Sequence, residues 1–225
     1  MELENITRLR SAEAKRRYDD ACGTAHALEL IGERWTLLVL RELMLGPRRF
    51  SELRADLPGI SANVLTQRLA ELEQRGLVRR TRLPPPASVQ VYQATPWGLE
   101  AEPIVQALGR WAARSPAHDP TLPISGVSIL LSFRTMIDQG RAKGLDARVG
   151  FAFGHDHYLA RIKKGRIRIA RGDLAEADVV LSGPPATLAA VVYGGAPLDL
   201  IGVGGDRSIA EKFVTLFPLP SKVGT

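Results

Sequence analysis

A few residues in this chain have side chains whose type and spacing invite chemistry. Asn63, Thr66 and Gln67 form a polar set spaced three and one residues apart. Asn and Gln each carry a donor and an acceptor that can bridge adenine N6 and N7. Six arginines flank the set: Arg48, Arg49, Arg68, Arg79, Arg80 and Arg82. Guanidinium forks suit phosphate oxygens, which position a protein on a nucleic acid without reading its sequence. His155-Asp156-His157 offers two imidazoles at i and i+2. On a strand these point to opposite faces, and no third ligand lies nearby, so a polar turn is expected and no metal. Ser61, His26 and Asp56 make no arguable triad, and no nucleophile motif is present. Gly202-Val203-Gly204-Gly205 lacks the helix-opening G-x-G-x-x-G, so a turn is expected and no cofactor is implied. Cys22 is the single cysteine. One thiol excludes an internal disulfide and a cysteine zinc site, although it can still join two subunits or form a sulfenic acid. Its nearest charges, Asp19 and Asp20, would raise its pKa.

The polar set shares a face only if it lies on a helix. Ser61 suits an N-cap, and the chain from there to Arg75 reads as a helix closed by Gly76. Leu65, Leu69 and Leu72 then share one side. At about 100° per residue, Asn63, Gln67, Ala70 and Gln74 fall on the other, with Thr66 beside them. Upstream, residues 27–45 are apolar at Leu30, Ile31, Leu37, Leu38, Leu40, Leu43 and Met44, as core-packed helices require. Gly46-Pro47 ends that stretch. Residues 50–57 read as a short helix, and Pro58-Gly59 as a tight turn. Downstream, residues 77–83 and 89–94 read as a hairpin around LPPPAS. Thr95-Pro96 then opens a last helix over about 97–114.

Helix, tight turn, polar-faced helix and basic hairpin follow the order of a winged helix-turn-helix, whose second helix fits the major groove of B-DNA. Asn63, Thr66 and Gln67 are the expected base readers, and the six arginines the expected phosphate contacts.

Composition sets the outer bounds. The 225 residues are 45% hydrophobic and 24% charged, which excludes disorder as the main state. The net charge is +6. It divides evenly, with +3 in residues 1–116 and +3 in residues 117–225, so its sum identifies no partner. Locally, Arg75, Arg79, Arg80 and Arg82 lie together with no acid among them. The charged first 25 residues read as no signal peptide. Residues 179–198, the longest uncharged run, contain three prolines and three glycines and make a poor membrane span. No membrane insertion and a cytoplasmic location are expected.

From Cys22 to about Arg114 the chain resembles the HxlR-type branch of the winged-helix transcription regulators, related to the MarR-like proteins. LELIGERWTLLVLREL, GPRRFSELRADLPGISANVLTQRLAELEQRGLVRR and VYQATPWG carry the resemblance. It implies a homodimer, held by the first and last helices of the domain, that binds inverted repeats in double-stranded DNA. It also places Cys22 where some members hold a thiol sensor. The PPP of the wing departs from a glycine-rich tip.

Three prolines in SPAHDPTLP mark a boundary at residues 115–123. Beyond it, residues 145–153 alternate, and residues 158–163 and 166–171 flank Lys164-Gly165, a two-residue hairpin turn. That register places Arg161 opposite Arg168 and Lys163 opposite Arg166, and such like-charged pairs call for an acidic neighbour, solvent or an anion. Residues 179–182 read as a strand, and 187–193 and 208–217 as helices. YLARIKKGRIRIARG, ADVVLSGPPATLAAVVYGG and GDRSIAEKFVTLF resemble the sterol carrier protein type 2 fold. That resemblance implies an antiparallel sheet covered by helices around an apolar pocket, lined here by Leu130, Phe133, Phe151, Phe153, Leu188 and Val192.

The expected fold is therefore α+β: a winged helix-turn-helix domain over 1–116 for DNA binding and dimerisation, then a sterol carrier protein type 2-like domain over 124–225. The expected function is a sequence-specific, homodimeric, non-enzymatic transcription regulator, modulated by an apolar or amphipathic small molecule. One rival is a lipid-binding protein whose winged helix serves only dimerisation or partner binding. Another is an enzyme built around the second domain, against which the missing acid–base constellation argues.

Overall fold

The computed structural model describes residues 18–224. Most of the charged stretch read as no signal peptide, and the first 17 residues of the 1–116 domain, lie outside the described residues. The apolar run at 27–45 becomes two helices, α1 (Gly23–Ile31) and α2 (Thr36–Glu42). They part where Trp35 takes a left-handed φ of 77°. α3 (Phe50–Asp56) and α4 (Ala62–Gln74) follow. Ser61 Oγ accepts from the Val64 N–H at 3.3 Å to start α4, and Gly76 leaves it at a φ of 72°. Leu65, Leu69 and Leu72 are buried with Val39, Leu40 and Leu53.

β1 (Val78–Arg82) and β2 (Gln90–Ala94) then form the antiparallel wing. Arg48 is stitched to it, its N–H reaching the Tyr92 carbonyl at 2.9 Å and its carbonyl the Tyr92 N–H at 2.8 Å. Thr95 caps α5 (Pro96–Leu99), and α6 (Glu102–Ala112) completes the first unit. One helix was expected here. Pro103 divides it, because proline lacks the N–H that would continue α5 yet suits the first turn of α6.

An irregular stretch leads to α7 (Gly126–Met136), N-capped by Ser125, and to the single-turn α8 (Gln139–Ala142). The strands β3 (Ala147–Phe153), β4 (Asp156–Lys163), β5 (Arg166–Arg171) and β6 (Val179–Ser182) precede α9 (Pro185–Gly194), and β7 (Gly202–Gly205) precedes α10 (Arg207–Phe213). The sheet order is β5-β4-β3-β6-β7. The β4–β5 turn has φ of 52° at Lys164 and 77° at Gly165, the primed turn that matches strand twist.

Two expectations are corrected here. The sheet is mixed, because β3 and β6 run parallel with Val149 beside Val179. The glycine-rich turn is an edge strand antiparallel to β6, with Gly205 opposite Val179. Gly205 has a φ of 93°, and an added Cβ would stand 2.5 Å from the Asp178 carbonyl oxygen. The residues that permit this pairing are the ones that erase the strand's alternation signal.

The two parts share one continuous core. At the seam, buried Glu42 at the end of α2 accepts from Ser125 Oγ with both oxygens at 2.9 Å, and from Arg41. Burial pushes its carboxyl well above the usual range, although Arg41 and Ser125 pull it down. Lys222 donates to the carbonyls of Ala113 and Ser115, which returns the chain's end to α6.

Candidate nucleic-acid interface

α4 presents Asn63, Thr66 and Gln67 to solvent, with Ala70 and Gln74 along the same outer side. This follows from the leucine stripe, which fixes the rotation of the helix once its apolar side is buried. Gln67 Nε2 donates to Glu71 Oε1 at 3.0 Å, which holds one candidate reader along the helix. On the wing, Arg79, Arg80 and Arg82 are all exposed. Arg79 donates to Gln93 Oε1 at 3.2 Å and Arg82 to the Ser88 carbonyl at 3.0 Å. Arg80 bridges to Glu73 of α4 at 3.0 Å and lies over the Tyr92 ring, tying wing to helix. Arg49, just ahead of α3, is also exposed. Of the three wing guanidiniums Arg80 is paired with an acid, Glu73, while Arg79 and Arg82 donate to neutral oxygens, so this surface keeps a positive surplus that a phosphate backbone can meet.

Arg48 and Arg68 depart from their expected phosphate role. Arg48 is only 2% exposed, and its guanidinium is held by Asp56 at the end of α3 and by Asp156 at the start of β4. Burial alone would lower its pKa, but the two carboxylates outweigh that and raise it. Asp156 titrates below the usual range, since Arg48 and Arg171 overcome its burial, whereas burial raises Asp56. Arg171 bonds Asp156 at 2.8 Å and lies over the Tyr158 ring, whose hydroxyl burial pushes up to about 12. Arg48 is thus a clamp between the first unit and the sheet. The partners stand 8 and 108 residues away, a distance no local spacing reveals. Arg68 is buried and pairs with Glu71 and, at 3.7 Å, with Glu33. One step beyond Gln67, it has turned about 100° toward the leucine side.

The expected pocket wall is packed interior. Phe133 and Phe151 are wholly buried, with ring centroids 6.0 Å apart. Phe133 stacks on Phe217 at 4.5 Å and meets Phe213 edge-on at 5.4 Å. Leu130 and Leu188 are buried in the same core, and Phe153 and Val192 are half-buried at its margin. Large side chains from α7, α9, α10 and the loop after α10 meet on the inner side of the sheet. Cys22 also differs from its expectation. It sits at the N-cap of α1, where the Thr24 and Ala25 N–H groups lower its pKa although acidic residues precede it.

The HxlR-like helix-turn-helix family model matches residues 30–119. The HTH-type transcriptional regulator YvaP of Bacillus subtilis is 37% identical over 86 residues, which is 38% of this chain and 80% of that protein. The HTH-type transcriptional regulator YodB of the same organism is 38% identical over 86 residues, 38% of this chain and 77% of YodB. A solved structure of reduced YodB from B. subtilis is 34% identical, covers 44% of this chain and 100% of that one, and gives a TM-score of 0.39.

Proposed function

Because this chain belongs to the HxlR-like helix-turn-helix family, whose curated relatives are transcriptional regulators, we propose that it is a homodimeric, sequence-specific DNA-binding regulator on an inverted-repeat operator. The observation that carries this reading is the outward polar row of α4 set beside a basic wing. Asn63, Thr66 and Gln67 read base edges, and Arg49, Arg79, Arg80 and Arg82 hold phosphates.

The dimer rests on α6. Ile104 and Leu108 are 46% and 45% exposed and Trp111 is 73% exposed, although they recur at i, i+4 and i+7 on one side. No residue of this helix is buried. An apolar stripe left in water on a strongly amphipathic helix is the form of a helix awaiting a partner, and a second copy supplies the same stripe.

Residues 124–225 form the second domain, read as sterol carrier protein type 2-like from its sheet with α7, α9 and α10 packed on one side. It carries the regulatory part of the proposal: an amphipathic small molecule modulates DNA affinity by binding one dimer geometry better than another. A cytoplasmic location belongs to the same proposal, from the likeness to transcriptional regulators; no described helix is long and apolar enough to cross a membrane.

Recovery of DNA bound to the native protein tests this reading. The expected result is a set of promoter fragments sharing an inverted repeat, with gel shifts that outcompete random DNA. Equal affinity for random and recovered fragments would leave the winged helix as a dimerisation or partner-binding device and favour a lipid-binding protein. Leu108→Glu is expected to yield monomers by sedimentation and to lose the operator shift.

A further inference from the structure

The outer side of the second domain's sheet carries three arginines in a row. Arg148 on β3 lies opposite Arg161 on β4, and Arg161 opposite Arg168 on β5. One rank along, Lys163 faces Arg166. Like charges set directly opposite weaken a sheet. Acidic neighbours offset part of this: Arg148 pairs with Glu176 at 3.4 Å and Asp178 at 3.6 Å, while Arg161 and Lys163 share Asp146 at 3.5 and 3.1 Å. The side chains of Arg166 and Arg168 have no ion pair or hydrogen bond among the described residues. Five cations thus face three carboxylates.

The cleft over this row measures about 750 Å³, within the roughly 300–1,000 Å³ usual for small-molecule sites. Leu159 and Ala170, on the same side of their strands as the guanidiniums, give it an apolar lining. The turn Leu174–Glu176 walls one side, where Leu174 Cδ2 would stand 2.9 Å from a Cβ added at Gly150. The site is therefore basic and apolar at once. A neutral lipid would leave the arginines repelling one another, and an inorganic anion would leave the apolar lining wet.

We propose that this cleft binds an amphipathic organic anion, its carboxylate or phosphate head between Arg161 and Arg168 and its apolar body against Leu159 and Ala170. The planar guanidinium fork favours such heads. The site lies outside the sheet, away from the filled aromatic interior. It also reaches the proposed dimer helix. Arg134, in the wall of the cleft, donates to both oxygens of Glu102 on α6 at 2.7 Å and to the Ile169 carbonyl of β5. An anion competing for Arg134 would loosen its hold on α6. The inference rests on the ligand-modulated reading above only for its regulatory meaning; binding itself stands or falls alone.

Isothermal titration of the full chain with octanoate and octyl phosphate tests it, with octanol and inorganic phosphate as partial probes. At least one octyl anion should bind about tenfold more tightly than either partial probe, and which of the two does so identifies the head group. The double variant Arg161→Gln/Arg168→Gln should lose about tenfold in affinity while its unliganded melting temperature holds or rises, since repulsion has been removed. Arg207→Gln, on α10, should bind as the native chain does. Absence of heat with both octyl anions, or unchanged affinity in the double variant, would overturn the proposal. So would weaker operator binding with a shallower salt slope in that variant without any octyl binding, which would make the row a contact for the DNA backbone. Gel shifts run alongside keep the two readings apart: normal operator binding without octyl binding removes the anion site and leaves the regulator.

Discussion

On the wing, Arg79, Arg80 and Arg82 project from one strand of a two-stranded hairpin beside a helix of outward amides. On the second domain's sheet, Arg148, Arg161 and Arg168 face one another across three strands, with no amide or hydroxyl row beside them. The charges are alike and the settings differ. The wing spaces its cations along a strand and anchors them to Glu73, Gln93 and Ser88, an arrangement suited to tracking a phosphate backbone. The sheet crowds its cations into one transverse row over an apolar cleft, an arrangement suited to a single anionic head. A third setting, the buried clamp at Arg48, serves neither purpose. Two carboxylates hold its two terminal nitrogens and join the helix-turn-helix to the sheet. Charge count separates none of these roles; geometry and burial do.

The sharpest test of that division is Arg48→Ala. Removing one member of a mostly buried charge cluster leaves Asp56 without its partner and Asp156 with Arg171 alone, and should destabilise the chain by about 3 kcal/mol in chemical denaturation. The salt slope of DNA binding, measured where the variant is folded, should not change. A shallower slope at native stability would return Arg48 to the phosphate set.

Gln67→Ala should cost about 1–3 kcal/mol in discrimination between operator and mismatched sites, with little change in salt dependence. Arg80→Ala should weaken all DNA alike and reduce the salt slope by about 1. Identical behaviour of the two variants in binding titrations would erase the line between reading and positioning.

Glu42→Gln probes the seam between the two regions. The folded pKa of Glu42 is raised above its ordinary 4.5, so the folded state holds that proton more tightly than the unfolded chain does. Its contribution to stability is fully present below pH 4.5 and is lost as pH rises through the folded value. Glutamine cannot ionise and keeps a partner for Ser125. The variant should therefore gain on the native chain by about 1 kcal/mol between pH 4.5 and 7, read from melting curves. A difference that is constant with pH would remove Glu42 as the titrating group.

Arg161→Gln carries the smallest expected effect. Relief of cross-strand repulsion should stabilise the unliganded chain by about 0.2–0.5 kcal/mol, and added salt should shrink that gain. Destabilisation would show that the pairing with Asp146 outweighs the repulsion.

Local spacing determined much of this protein. The leucines of α4 set which side is buried, so Asn63, Thr66 and Gln67 had to face outward. Lys164-Gly165 set the β4–β5 register and, with it, Arg161 opposite Arg168. Ser61 and Gly76 bounded α4 as capping chemistry requires. Other features were decided only in three dimensions. Arg48 and Arg80 are the same residue type in the same basic stretch, yet Asp56 and Asp156, the latter from a distant strand, close on the first while the second stays in water. The aromatic residues expected around a pocket instead meet one another, because α7, α9 and α10 converge on a single side of the sheet. The parallel β3–β6 pairing and the glycine edge strand likewise depend on the return path of the chain. Periodicity and caps act within a few residues and are written in the sequence, whereas a long-range ion pair or a filled cavity depends on how distant elements dock, which neighbouring residues do not encode.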